Sequence, residues 1–357
     1  NEWYTKIQIS AGKISALLNP ATYVIMNLAI VAILWSGSIQ VNVGNITQGE
    51  VVALVNYMTQ ILTALLALAN LIVAVTKATA SGARLNEVFE IKPSMNDEGN
   101  VPQEMQKGRS RVEFCHVTYT YAGASAPALE DISFEINPGE TVGVIGGTGA
   151  GKTTLINLIP RFYDADGGCV QVDGIPVEKY PFWQLRGKVG MVPQHAVLFK
   201  GTIRENMQWG KSDATDEEIW DALRIAQADN FVREKKGELD SMVSQGGTNL
   251  SGGQRQRLTI ARALVGRPEI LVMDDSASAL DFATDAALRR AIHEETEKMT
   301  VFIVSQRASS IRRADRILVL DDGKLVGNGT HAELFDTCKV YREICLSQMT
   351  KEEVKRA

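Results

Sequence analysis

A glycine-rich segment carries the clearest chemistry of this 357-residue sequence. It matches the pattern GxxxxGK(S/T) of phosphate-binding loops. In such a loop the glycines let backbone N–H groups converge on phosphate oxygens, and the helix that follows adds its positive end. The lysine reaches the β- and γ-phosphates, and the hydroxyl after it binds Mg²⁺. The pattern therefore predicts a site for ATP and Mg²⁺, formed by Gly146, Gly147, Thr148, Gly149, Ala150, Gly151, Lys152, Thr153 and Thr154.

Two segments further along the chain add groups that act on such a nucleotide. The apolar run 270–273 ends in Asp274, the arrangement called Walker B, in which the carboxylate faces Mg²⁺. The second segment is Ser251, Gly252, Gly253 and Gln254, and a predicted helix, 255–264, begins directly after it. Because the N–H groups at the start of a helix attract anions, this segment predicts a further phosphate contact.

Apolar runs predict the elements that hold these residues. The continuous run 141–145, directly before the glycine-rich loop, is typical of a buried parallel strand, and 154–159 predicts the helix after it. Other strands are predicted at 187–192, 270–273 and 301–304, with alternating patterns at 112–114, 117–121 and 132–136. The sequence therefore predicts an α/β P-loop NTPase fold with a parallel central sheet and an antiparallel side sheet.

The first part of the chain is almost free of charge. Residues 14–49 and 51–76 contain no charged side chain, and Glu50 lies between them. About 20 apolar residues in a helix span the hydrocarbon core, so we predict a transmembrane hairpin with helices at about 21–39 and 51–75. Its outer ends carry lysine and arginine and its tip carries none, which predicts that both ends lie in the cytoplasm. A buried hairpin in a soluble protein is the alternative.

Together these motifs resemble those of a known protein family. The run Leu250 to Gln254, LSGGQ, combined with the phosphate-binding loop and Walker B, resembles the nucleotide-binding domain of ABC transporters. With the hairpin in front, the chain resembles an ABC exporter half-transporter whose first four transmembrane helices are missing. The resemblance implies a partial transmembrane domain at 1–92, a linker at 93–110, the ATPase domain at 111–348 and a charged tail at 349–357.

The resemblance also implies residue roles. Two such domains dimerise head to tail, and each ATP lies between the phosphate loop of one chain and the signature of the other. Ser251, Gly252, Gly253 and Gln254 would then contact the partner's γ-phosphate. Tyr121, or less favourably Tyr119, would stack on adenine, and residues 278–281 would form the D-loop at the dimer interface. Gln194 would contact Mg²⁺ and the attacking water.

Two residues depart from the family pattern. Asp275 stands where the family has a glutamate that activates water, and Gln306 stands where it has a histidine. The shorter side chain retracts the carboxylate by about 1.5 Å, and a glutamine carries no proton. With Gln194, these residues are the predicted catalytic positions. Gln245 likewise replaces a glutamate found in many exporters. The pattern resembles the degenerate site of heterodimeric bacterial multidrug exporters; neutral drift with residual activity is the alternative.

The functional hypothesis is a multi-pass subunit of an exporter in the cell membrane, with its ATPase domain in the cytoplasm. Its expected partners are a second half-transporter, more as a heterodimer than as a homodimer, the lipid bilayer, and a hydrophobic or amphipathic small molecule. A homodimer with two weak sites and a regulatory nucleotide-binding subunit are the alternatives. A net charge of -5 argues against a nucleic-acid partner. The four cysteines form no CxxC pair and are expected to be reduced.

Overall fold

The chain divides into two compact units. The computed structural model describes residues 2–97, 99, 110–276, 280–295 and 299–348. The first unit is Asn1–Ser94 and the second is Met95–Ala357. The predicted tail, 349–357, most of the second half of the predicted linker, and Ser278 and Ala279 of the predicted D-loop lie outside the described residues.

The first unit is a helical hairpin. Its helices are α1, Glu2–Val43, and α2, Gln48–Glu90. The turn is closed by a capping box, because Thr47 N donates to Glu50 Oε2 at 2.7 Å and Glu50 N donates to Thr47 Oγ1 at 3.4 Å. The one charged residue in the apolar region therefore has a local structural role at the start of α2.

The hairpin exposes its apolar side chains. In its described part only Gly37 and Val51 are buried, and they face each other where α1 and α2 meet. Large side chains such as Leu28, Trp35 and Ile72 are exposed. By length and composition, Pro20–Val43 and Gln48–Glu90 are both able to cross a membrane. The predicted spans 21–39 and 51–75 lie within these two helices.

The second unit combines strands and helices. The strands of the described residues are β1 Val112–Tyr119, β2 Leu129–Ile136, β3 Thr141–Gly146, β4 Gly167–Val172, β5 Ile175–Pro176, β6 Val189–Val192, β7 Gly201–Thr202, β8 Met242–Val243, β9 Ile270–Asp274, β10 Thr300–Val304, β11 Arg316–Asp321 and β12 Lys324–Gly329. The helices are α3 Lys152–Leu158, α4 Phe182–Lys188, α5 Ile203–Gln208, α6 Asp216–Ile225, α7 Asp229–Arg233, α8 Gly252–Leu264, α9 Phe282–Glu295, α10 Ala308–Ile311, α11 His331–Thr337 and α12 Lys339–Gln348.

The strands form the two predicted kinds of sheet. The central sheet has the order β12-β11-β3-β10-β9-β6, and its strands are parallel except for the antiparallel pair β11 and β12. The side sheet, β2-β1-β4-β5, is antiparallel. The predicted α/β fold, with a mostly parallel central sheet, an antiparallel side sheet and two apolar helices in front, is confirmed. The hairpin of β11 and β12 was not predicted, although Asp322-Gly323 between two strand-like runs is a turn signal.

Burial on both faces explains the apolar strands. In β9, Ile270 and Val272 pack in one hydrophobic cluster, whereas Leu271 and Met273 pack in the other. The first cluster lies towards the side sheet, and the second lies towards α6 and α8. A strand covered on both sides needs apolar residues at every position, so it reads as a continuous run. Alternation predicted separate strands at 112–114 and 117–121, but β1 is one strand with a bulge, where His116 has φ 51°.

Four charged residues join the two sheets at the ends where β6 and β9 begin. Lys188 Nζ lies 2.6 Å from Glu269 Oε1 and 3.0 Å from Asp173 Oδ2. Arg111 pairs with Asp173 at 2.5 Å and also with Glu269. Burial alone would lower the pKa of Lys188, but its hydrogen bonds to the two carboxylates raise it. The cluster holds the side sheet against the central sheet, at the opposite strand ends from the phosphate loop.

Asp173→Asn is expected to destabilise the second unit strongly. It leaves two partly buried cations, Arg111 and Lys188, with one carboxylate, and loss of a buried charge from such a cluster costs about 3 kcal/mol or more. The backbone is not the cause, since Asp173 has φ 51° and asparagine also adopts this conformation. Thermal unfolding of the chain in detergent should show a midpoint lowered by roughly 6–12 °C. The control is Asp221→Asn, which removes an exposed pair with Arg267. An equal loss in both variants would contradict this account of the cluster.

Candidate nucleotide site

The loop between β3 and α3 is packed on one side and open on the other. A Cβ on Gly146 would lie 2.2 Å from the carbonyl oxygen of Leu320, and one on Gly151 would lie 2.7 Å from that of Ala128. Gly149 and Gly151 have φ 83° and 93°, which glycine adopts without strain. A Cβ on Gly147 or Gly149 would meet nothing within 4 Å. The open side gives a phosphate close access to the backbone, so the loop fits the predicted ligand.

Lys152 is held inside this loop. Its Nζ donates to the carbonyl oxygens of Gly146 at 2.9 Å and Gly147 at 2.6 Å. Burial lowers the pKa of Lys152, and the charges of Asp274 and Asp275 act in the opposite direction. The ammonium group is thus oriented by the same loop that would receive the phosphates.

Thr153 and Asp274, two of the residues predicted to bind magnesium, contact each other. Thr153 Oγ1 donates to Asp274 Oδ2 at 3.0 Å, and this bond joins the start of α3 to the end of β9. Burial raises the pKa of Asp274, although the hydrogen bond from Thr153 lowers it. Within the described residues, no group of three or more histidine, cysteine or acidic side chains is placed to hold a metal. A hydroxyl and one carboxylate, completed by phosphate and water, are a donor set that suits Mg²⁺.

The two tyrosines predicted for adenine stacking differ in access. Tyr119 is buried at the end of β1, whereas Tyr121 is 37% exposed. The hydroxyl of Tyr121 lies 3.0 Å from Thr154 Oγ1, in the first turn of α3. This position favours Tyr121 for contact with a base, and Tyr119 packs beneath it at a ring distance of 5.0 Å. Gln194 is exposed in the loop after β6, the strand next to β9.

Asp275 follows Asp274 in an uncommon backbone conformation. It has φ 42°, and its N–H donates to Val304 O at 2.9 Å. Aspartate and asparagine adopt the left-handed region more easily than glutamate, so the residue suits its backbone. Burial raises the pKa of Asp275, while the positive charges of Arg307 and Lys152 oppose this. Asp275 and Arg307 line the same cavity, of about 640 Å³.

The segment with Gln306 leaves the sheet beside the phosphate loop. Ser305 N donates to Val144 O at 3.1 Å, which places the end of β10 next to β3. Gln306 is exposed, and Arg307 N donates to Ser305 Oγ at 3.0 Å. Sequence reasoning did not select Arg307, although it is adjacent to Gln306. Its charge beside Asp275 becomes evident only when β9 and β10 are paired.

The predicted signature forms the start of α8. Ser251 Oγ accepts from Gln254 N at 3.2 Å, and Gln254 Oε1 accepts from Ser251 N at 3.1 Å. This capping box fixes the first turn, and a Cβ on Gly252 would meet nothing within 4 Å. The signature therefore forms the open N-terminus of α8, a helix of 13 residues. Of the predicted D-loop, Leu280 is buried and Asp281 accepts from Thr284 N at 2.9 Å.

The segment before the signature contacts the segment after Gln194. Gln245 begins a short 3₁₀ turn, Gln245–Gly247, and Gly246 N donates to Leu198 O at 3.1 Å. A Cβ on Gly247 would lie 3.3 Å from Leu198 Cδ1. The two loops thus pack on each other at a position where a side chain on Gly247 would not fit easily.

Comparisons with known proteins find similarity to ABC transporters. The family profile described as ABC transporter matches residues 129–278. An uncharacterized ABC transporter ATP-binding protein of Bacillus subtilis is 42% identical over 344 residues, which are 96% of this chain and 59% of that protein. A fatty acid ABC transporter ATP-binding/permease protein of Mycobacterium tuberculosis is 38% identical over 93% of this chain and 52% of its own length.

A solved structure has the same fold over nearly the whole chain. It is a bacterial Atm1-family ABC exporter with ATP bound, with a TM-score of 0.80 and 30% sequence identity. The match covers 98% of this chain and 61% of that one. The chain therefore spans between half and two thirds of the length of these three proteins.

Asp275→Asn is expected to stabilise the nucleotide-free chain. Since burial raises the pKa of this carboxyl, its charged form is less favourable in the folded than in the unfolded chain. At pH 7 the amide should raise the thermal midpoint by about 1–3 °C. The gain should shrink as the pH falls towards the raised pKa, where Asp275 itself becomes protonated.

The matched control is Asp322→Asn. Asp322 is exposed and also has a positive φ, 45°, so the same substitution there changes the charge without changing burial. Its midpoint should match that of the unaltered chain at pH 7. A lower midpoint for Asp275→Asn at pH 7 would mean that the attraction between Asp275 and Arg307 outweighs the cost of burial.

Proposed function

This chain holds an ABC ATPase domain preceded by two apolar helices, and from that premise we propose that it is a subunit of an ATP-driven exporter in the cell membrane. The observation that carries the proposal is the contact between Thr153 and Asp274, with Lys152 held in the adjacent loop. This arrangement suits a nucleoside triphosphate with its magnesium ion. The apolar hairpin in the same chain provides the connection to a membrane.

The residues of the site would divide the work of binding. The open backbone of residues 146–151 and Lys152 would hold the phosphates, and Tyr121 would stack on adenine. Thr153, Asp274 and Gln194 would hold Mg²⁺. When bound, the ion neutralises phosphate charge and polarises the bond to the γ-phosphate. The start of α8 would contact the γ-phosphate of a nucleotide bound to a second subunit.

The membrane part supports transport of an apolar or amphipathic molecule. Side chains of α1 and α2 are exposed to an extent that only lipid or other apolar helices would cover. Lysine and arginine near the outer ends of the hairpin favour a cytoplasmic position for both ends. We propose a hydrophobic or amphipathic small molecule as substrate, moved when two ATPase domains close around ATP.

We further propose that this site retains ATP and hydrolyses it slowly. Asp275 is one methylene shorter than the usual base, and burial raises its pKa, so its carboxyl is both retracted and less readily ionised. Gln306 is able to bond a phosphate oxygen but is unable to carry a proton. The signature at α8 has an intact cap. The signature of this chain would therefore complete the active site of a partner that has glutamate and histidine at the two altered positions. This favours a heterodimer.

The rate of hydrolysis tests the slow site. The purified chain in lipid nanodiscs should bind radiolabelled ATP, yet turn it over well below about 1 s⁻¹, the lower end of common enzyme rates. Asp275→Glu should raise the rate only in part, because Gln306 is unchanged and glutamate fits φ 42° poorly. Lys152→Ala, which should abolish binding, is the control for nonspecific label. Turnover by the unaltered chain at ordinary enzyme rates would contradict the proposal.

The orientation of the hairpin is tested by labelling. A membrane-impermeant maleimide should react with Asn45→Cys, at the tip, in intact cells. It should react with Asn86→Cys, near the outer end of α2, only after permeabilisation. The four native cysteines all follow residue 110, so the unaltered chain should stay unlabelled in intact cells, and its labelling after permeabilisation is the background for Asn86→Cys. The reverse pattern would place the ATPase domain outside the cytoplasm and exclude the proposed use of ATP.

A further inference from the structure

The last residue of α12 holds the segment that carries Gln306. Gln348 Nε2 donates to the backbone oxygen of Gln306 at 2.7 Å. Gln348 Oε1 accepts from the backbone N–H of Ala308, the first residue of α10, at 2.9 Å. The amide of Gln348 thus bonds to the backbone on both sides of Arg307. In sequence, Gln306 and Ala308 are 42 and 40 positions away from Gln348.

The chemistry of this contact is specific to an amide. A carbonyl oxygen needs a donor and an N–H group needs an acceptor, so only one orientation of the Gln348 amide satisfies both. A glutamate would satisfy Ala308 N but would place a negative charge against the oxygen of Gln306. An alanine would satisfy neither. The contact therefore depends on residue type as well as on position.

The helix that presents Gln348 is firmly placed. Tyr341 and Cys345, on the same helix, are fully buried in the hydrophobic core. The hydroxyl of Tyr341 lies 2.8 Å from His331 Nδ1, at the start of α11. Arg342 Nε donates to Phe335 O at 2.7 Å. Because α12 is fixed by these contacts, its last side chain is a stable anchor for the Gln306 segment.

That segment is short, so its anchors set the direction of its side chains. Ser305 is bound to β3 through Val144, and Ala308 already belongs to α10. Gln306 and Arg307 lie between these two points. Gln348 bonds to the backbone of Gln306 and of Ala308, on either side of Arg307. Loss of the amide would free the backbone of Gln306 and also loosen Arg307, which faces Asp275.

We propose that Gln348 is a positioning residue that aims Gln306 at the γ-phosphate of the bound nucleotide. The inference rests on the proposed function, since it assumes that ATP occupies the loop between β3 and α3. It assigns the end of α12 a function in distinguishing ATP from ADP. Gln348 itself touches only the backbone and acts through Gln306.

The test is the ratio of ATP to ADP affinity. Calorimetric titration of the chain in detergent with Mg²⁺-ATP and Mg²⁺-ADP gives both dissociation constants. Gln348→Ala should weaken ATP binding about three- to tenfold, the effect of one lost hydrogen bond, and leave ADP binding unchanged. Gln348→Glu should weaken ATP binding at least as much. Gln306→Ala combined with Gln348→Ala should lose no more than Gln306→Ala alone.

The matched control is Ser347→Ala. Ser347 is the neighbouring residue on α12, and its hydroxyl bonds only within the helix as described, to Ile344 O at 2.8 Å. Its two affinities should equal those of the unaltered chain. Unchanged ADP affinity in the Gln348 variants also shows that the phosphate loop is still folded.

Several outcomes would overturn the inference. Unchanged affinities for both ATP and ADP in Gln348→Ala would show that the contact does not aim Gln306. Equal weakening of both nucleotides would mean that Gln348 only supports the fold, and additive losses in the double variant would mean that it acts independently of Gln306. If the unaltered chain bound neither nucleotide, the proposed function would fail and the inference with it.

Discussion

Parallel pairing of β3, β9 and β10 is the constraint on which the nucleotide site depends. Strands that run in the same direction end at the same edge of a sheet, so the residues that follow them meet there. Lys152 follows β3, Asp274 ends β9, and Ser305 follows β10. Hydrogen bonds from Thr153 to Asp274, from Asp275 to Val304 and from Ser305 to Val144 join the three ends. The pairing of the strands brings the three chain segments together, and local contacts such as those of Lys152 with its own loop then orient each side chain.

Charge balance explains why this edge tolerates so many buried polar groups. Two carboxylates, Asp274 and Asp275, lie near two cations, Lys152 and Arg307. Burial disfavours the charged form of each of the two aspartates and of Lys152, and the opposite charges only partly offset this cost. Such a set is stable with charges matched in pairs, and a phosphate brings negative charge that Lys152 and the loop N–H groups are arranged to meet.

Sequence patterns predicted the parts of the site that are local. The glycine-rich loop, the end of the strand at Asp274 and the helix start at Ser251 each depend on neighbouring residues, so a short motif contains them. The choice between Tyr119 and Tyr121 needed burial, which a motif does not contain. The contact of Gln348 with Gln306 needed the packing of α12, across 42 positions of sequence. Pairing with a second subunit and slow hydrolysis stay predictions, since they concern a partner and a rate.

The capping box at the start of α8 has a consequence for the kind of ligand that α8 is able to meet. Ser251 Oγ already accepts a hydrogen bond from Gln254 N, and its own hydrogen is able to rotate towards an approaching acceptor. The next N–H groups, of Gly252 and Gly253, belong to the first turn of a helix, where no carbonyl of that helix faces them. An approaching group therefore meets several N–H and O–H donors at this helix start. This surface selects by polarity, since it attracts an oxyanion and repels a metal ion or an ammonium group, whatever the remainder of the ligand.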